Sequence, residues 1–76
     1  MDHLVDARGL RCPLPLVRAR QALAFLGPRD VLVVLADDPE APIDIAALAA
    51  DCGRAFTSSS SCDGGVWRLE LSAAEQ

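Results

Sequence analysis

Apolar and polar positions along the chain fall into six segments. His3-Leu4-Val5-Asp6 reads as a short strand, ended at Ala7-Arg8-Gly9, where glycine permits a turn. From Pro13 to Leu26 the apolar residues Leu16, Ala19, Leu23 and Leu26 keep helical spacing, and Gly27-Pro28 is a stop signal. Val17 and Phe25 fall outside that stripe and leave apolar surface on the exposed side, with Arg18 and Gln21. Val31 to Ala36 is continuously apolar, the pattern of a central strand covered by helices on at least one face. Asp37-Asp38-Pro39-Glu40-Ala41-Pro42 is then a polar, proline-punctuated loop before a second helix, Ile43 to Cys52. In it Ile45, Leu48, Ala49 and Cys52 share one stripe, which places Cys52 in the core as a small apolar residue, and Gly53 suits the position past the helix end. Ala55 to Ser61 reads as a solvent-facing or edge strand, and Asp63-Gly64-Gly65 as a hairpin turn. Val66 to Leu71 alternates as the partner strand, and Ser72 to Gln76 is a frayed tail.

The order β-α-β-α-β-β predicts an α/β (α+β) two-layer sandwich, a four-stranded mixed sheet with two helices on one face and the other face comparatively open. The 76 residues make one domain, 1–76, with its core over about 3–71. Hydrophobic residues at 51% against 24% charged exclude a disordered chain, and only Phe25, Phe56 and Trp67 are aromatic, so the core is aliphatic. No apolar run approaches the roughly 20 residues of a membrane span, and Asp2 and Asp6 do not suit a signal peptide. Three cysteines without paired spacing fit a reducing compartment, and the expected localisation is cytoplasmic.

The net charge of −4 is unevenly spread. Residues 1–29 carry five arginines against two aspartates, whereas residues 30–76 carry two arginines against nine acids. The acidic total speaks against general nucleic-acid binding. The basic segment contains Arg11-Cys12-Pro13-Leu14-Pro15, where a cysteine precedes the first turn of a helix. Pro13 suits the first helical position, which makes Cys12 the expected N-cap. A neutral thiol caps poorly, but a thiolate there would be favoured by the free N–H groups and the helix dipole, with a depressed pKa.

Two chemistries compete for such a cysteine. Disulfide exchange would ordinarily use Cys-x-x-Cys, and Pro15 stands where the second thiol would be. A sulfur carrier has the opposite need, because a neighbouring thiol would attack the loaded persulfide and release sulfide. Metal binding finds no support in spacing, with three cysteines and one histidine and no Cys-x-x-Cys pair, so no metal site is expected. His3 is a poor candidate for the base that hydrolysis would need. Cys62, beside the expected turn, has no basic neighbour or helix start to activate it.

Leu4-Val5-Asp6-Ala7-Arg8-Gly9-Leu10-Arg11-Cys12-Pro13-Leu14-Pro15, with Ala22-Leu23, Leu35-Ala36-Asp37-Asp38-Pro39 and Asp44-Ile45, resembles the TusA (SirA-like) sulfur-carrier family over about residues 4–71. The resemblance implies a cytosolic sulfurtransferase-type carrier with a single nucleophilic cysteine. It would accept sulfane sulfur as a persulfide on Cys12 from a cysteine desulfurase or a rhodanese and pass it to a downstream relay protein. The outlets it implies are tRNA thiolation, molybdenum-cofactor maturation or sulfur oxidation; no cofactor is expected beyond the covalent sulfur. Arg11 and Arg8 would support the thiolate, Pro13 and Pro15 would stiffen a donor-poor rim, and Asp37 and Asp38 would steady the strand-to-helix turn or recognise partners. The alternative reading is a non-enzymatic interaction or regulatory module that binds RNA through the open sheet face. A lack of tyrosine and the acidic second half weigh against it.

Overall fold

The computed structural model describes residues 2–27, 29–60 and 65–74. Its elements are β1 (Asp2–Asp6), α1 (Leu14–Leu23), β2 (Val31–Ala36), α2 (Ala41–Asp51), β3 (Arg54–Ser60) and β4 (Trp67–Ala74). The strands form one mixed sheet in the order β1-β2-β4-β3, with β1 parallel to β2 and the other two pairings antiparallel. Both helices pack on the same face and against each other. The expected two-layer α+β sandwich is the observed one.

The alternation of strand residues explains the layers. Leu32, Val34 and Ala36 of β2 and Leu69 and Leu71 of β4 point to the helices and meet Ala19, Ile45, Leu48 and Ala49. The core is therefore aliphatic, with Phe56 and Trp67 at its margin. Val33 points the other way yet is only 4% exposed. On that face it lies in register between Leu4 and Glu70, and Glu70 accepts a 3.0 Å ion-pair contact from Arg68. The continuous apolar run of β2 thus has two uses, a core face and a second face partly covered by its neighbours' side chains.

Several element ends depart from the sequence expectation. α1 stops at Leu23, because Phe25 and Leu26 donate to the carbonyls three residues back, Ala22 and Leu23, and so tighten the last turn. α2 begins at Ala41, two residues early, since Pro42 fits a first turn whose N–H groups have no helical partner in any case. Ser72–Ala74 belongs to β4 and is no frayed tail: Ala74 is in register with Arg54, and the pairing is carried past a shift between Arg54 and Phe56. The expected hairpin turn lies largely outside the described residues, as does Cys62.

Cys52 is exposed, which corrects its expected place in the core. The helix ends one residue before it, so Cys52 is the C-cap and its stripe runs off the end of the packed surface; Gly53, at φ +70°, then turns the chain into β3.

Arg54 closes the opposite end of the molecule from the first helix start. Its guanidinium donates to the carbonyls of Asp30 (2.6 Å), Gly27 (2.8 Å) and Ser72 (3.4 Å). Arg54→Ala leaves these half-buried acceptors without their cationic donor. A loss of about 2–3 kcal/mol is expected, read as a lower urea midpoint at unchanged slope.

Candidate functional site

The site is built where the chain leaves β1 and where it leaves β2, the adjacent ends of two parallel strands. After β1, Asp6 and Arg8 pair with each other. The Arg8 guanidinium donates to both carboxylate oxygens, at 2.8 and 2.7 Å, and Asp6 also accepts from the Arg8 backbone N–H at 3.1 Å. This contact lowers the Asp6 carboxyl to about 2. Arg8 is therefore engaged by Asp6. Gly9 follows at φ +82°, a conformation that a side chain would strain, and its N–H is shared between both oxygens of Asp37, at 3.0 and 3.1 Å.

Asp38 does the corresponding work one step later. Its Oδ2 accepts from the Cys12 backbone N–H at 2.9 Å and its Oδ1 from that of Glu40 at 2.8 Å. These two bonds, with a smaller contribution from Arg11, hold its carboxyl below the usual range. One aspartate thus ties the cysteine loop to the start of α2. Arg11 is exposed and, with Gly9, Leu10, Asp37, Asp38 and Pro39, lines a shallow recess of about 350 Å³ beside this junction.

Cys12 is exposed but is not the N-cap of α1. Pro13 takes that position, at φ −97° and ψ 18°, after a cis Cys12–Pro13 bond; Cys12 lies one residue outside. The prolines explain why the helix end does not serve the sulfur. Pro13 and Pro15 have no N–H, and the Leu14 N–H already donates to the Arg11 carbonyl at 2.8 Å. Pro15 is buried in the first turn, whereas Leu14 and Val17 stay exposed.

The thiol turns instead to the start of α2, and Cys12 Sγ donates to Asp44 Oδ2 at 2.9 Å. The Glu40 carboxylate is also close: one donor atom each from Cys12, Glu40 and Asp44 lie within 4.8 Å of one another. The Asp44 hydrogen bond first, then partial desolvation and the charges of Asp44 and Glu40, push the Cys12 thiol up to about 11. This reverses the depressed value expected from the helix start. The basic segment does not reach the sulfur; the acidic half of the chain does.

From sequence, Asp44 enters only through the Asp44-Ile45 pair that carries the family resemblance, and neither Asp44 nor Glu40 is expected beside the cysteine. Acids at a helix start suit its dipole, and Asp44 lies in the first turn of α2. Their second use depends on a contact across 32 residues. His3 stands within β1 in register with Leu32.

A two-layer α+β sandwich with one exposed cysteine between its first strand and first helix is the class that fold and site define. Its chain matches the family model described as sulfurtransferase TusA over residues 3–72. Two Neisseria meningitidis proteins, from serogroup A and serogroup B strains and each named "Putative sulfur carrier protein", are 45% identical over 63 residues. The match covers 83% of this chain and 85% of each relative. The crystal structure of a SirA-like protein from Desulfitobacterium hafniense superposes with a TM-score of 0.85 at 33% identity, covering 99% of this chain and all of that one. The chain belongs to the TusA sulfurtransferase family.

Among the described residues, no helix is long and apolar enough to cross a membrane.

Proposed function

We propose that this chain is a sulfur carrier that accepts sulfane sulfur as a persulfide on Cys12 from a cysteine desulfurase or rhodanese and passes it to a downstream relay protein. The observation that carries the reading is the exposed Cys12 thiol, tethered by its backbone to Asp38 and by its sulfur to Asp44, within the residues 3–72 that match the family. Among the described residues, the separation of Cys12 from the other thiol supports it. Cys52 lies at the other end of α2, eight residues beyond Asp44, or about 12 Å along the helix axis. A persulfide on Cys12 is thus kept from reduction by Cys52.

The transfer is an exchange between two sulfur centres. Cys12 Sγ bonds to the outer sulfur of the donor persulfide, and the donor S–S bond breaks. The donor leaves as a thiol, and Cys12 becomes a persulfide. An acceptor thiolate then takes the outer sulfur in the same way. Pro13 and Pro15 restrict the backbone on the exit side of the sulfur and offer it no N–H donors. The terminal acceptor belongs to thiolation of tRNA, molybdenum-cofactor maturation or sulfur oxidation, and the carrier works in the cytoplasm.

Incubation with a cysteine desulfurase and cysteine is expected to add one sulfur atom to the intact protein. Peptide mapping should place it on Cys12, and a dithiol reductant should remove it. Mapping of the added sulfur to Cys52 or Cys62 would refute the assignment.

A further inference from the structure

We propose that Asp44, backed by Glu40, holds Cys12 as a resting thiol until a donor protein sets a lysine or arginine side chain against the two carboxylates. The inference rests on the sulfur-carrier reading for what the donor delivers, but the resting state can be tested without sulfur.

The geometry leaves the thiolate without compensation from within the site. Asp44 Oδ2 accepts the Sγ hydrogen at 2.9 Å, a contact that a thiolate cannot make and that two like charges would turn into repulsion. Glu40, at the N-cap of α2, brings a second carboxylate into the same group of donor atoms. Asp38 faces the cysteine through its backbone N–H. On the β1 side, the Arg8 guanidinium is held by Asp6, and the exposed Arg11 lowers the Asp38 carboxyl slightly but is not among the charges that act on the thiol. The groups that act on the sulfur are therefore acidic, and a cation set against them by a donor would release it.

The consequence for transfer is selectivity. Thiolate is the attacking form, so a partner without a cation at its delivery site meets a protonated sulfur. With the cation in place, Cys12 Sγ gives up its proton to solvent and, as the thiolate, forms the bond to the donor's outer sulfur. The donor's S–S bonding pair goes to its inner sulfur, which leaves and takes up a proton. One thiol and one persulfide enter and one of each leaves, so no external oxidant or reductant is needed.

The test uses the intact protein in chelator-treated buffer, with modification of the Cys12 peptide followed by mass spectrometry. Two methanethiosulfonate reagents of opposite charge, one bearing trimethylammonium and one bearing sulfonate, serve as probes, each normalised to its rate with a small thiol. The wild-type chain is expected to favour the cationic reagent by about 10-fold or more. That preference should fall to within about 2-fold in Asp44→Asn/Glu40→Gln. Iodoacetamide modification at neutral pH should accelerate by about 10- to 100-fold in Asp44→Asn, its pH profile moving to lower pH, as the thiol returns towards its ordinary range. Glu40→Gln should shift the profile the same way by less. A wild-type chain that treats both reagents alike overturns the proposal without needing any variant to fold, and so does an unmoved pH profile in folded Asp44→Asn. If the reagent preference holds while a desulfurase loads no sulfur on Cys12, the resting lock stands and the carrier reading fails. If sulfur loads normally and the preference is absent, the carrier reading stands and the lock fails.

Discussion

Supplied with a cysteine desulfurase and cysteine, the Cys12→Ser chain is expected to gain no sulfur at all, while Cys52→Ser and Cys62→Ser gain it as the wild type does. Serine is the informative replacement because it separates chemistry from structure. Its hydroxyl can still donate to Asp44 Oδ2, the contact Sγ makes at 2.9 Å, and its backbone N–H still reaches Asp38. The variant should therefore unfold within about 1 kcal/mol of the wild type, as expected for an exposed position whose hydrogen bonds survive. An oxygen cannot carry sulfane sulfur in a form that a thiolate would accept. The readout is intact mass before and after the donor reaction, with urea unfolding run on the same samples. Sulfur uptake that persisted in Cys12→Ser and vanished in Cys52→Ser would move the site to the other end of α2.

The second large effect is on stability. Ile45 is completely buried, on the face of α2 that meets the sheet. Ile45→Ala is expected to cost about 2–5 kcal/mol through lost burial and the cavity left behind. A chain of 76 residues has a total stability on the order of 4–11 kcal/mol. One substitution therefore removes a large share of it, and urea denaturation should show the midpoint fall sharply. Ile43→Ala, two residues earlier, is the control. Ile43 is 71% exposed, and its loss should change stability by no more than about 0.5 kcal/mol. Equal effects at the two positions would contradict the placement of α2 on the sheet. Ile45 also adjoins Asp44, so Ile45→Ala should loosen the first turn of α2 and raise Cys12 reactivity, an effect Ile43→Ala should not share.

These contrasts show which features the chain order makes legible. β2 is readable to the residue because six consecutive apolar side chains mark a strand flanked on both edges and covered by helices on one face. The edge position of the serine-rich β3 follows from its polarity, and Gly53 marks the end of α2 because its positive φ is a local requirement. Local rules fail where a partner distant in sequence outbids them. Cys12 next to Pro13 suggests a helix cap, but the prolines leave the helix start short of donors, and Asp38 and Asp44 take the backbone and side chain instead. The charge of the surrounding segment misleads for the same reason: Arg8 is spent on Asp6, and the acids that face the sulfur come from α2 and its N-cap. Cys52 fits the periodicity of the buried stripe, but periodicity cannot say where the sheet beneath it ends.

Asp38 and Asp44 grip the same cysteine from opposite sides of the start of α2, one by its backbone and one by its sulfur. A helix turns about 100° per residue. Removing a single residue between the two aspartates would keep both in the chain and still swing the second carboxylate about a quarter-turn away from the sulfur. The spacing of this short connection is thus as much a part of the site as the side chains at its ends, and variation in its length would redirect the cysteine without altering any residue that touches it.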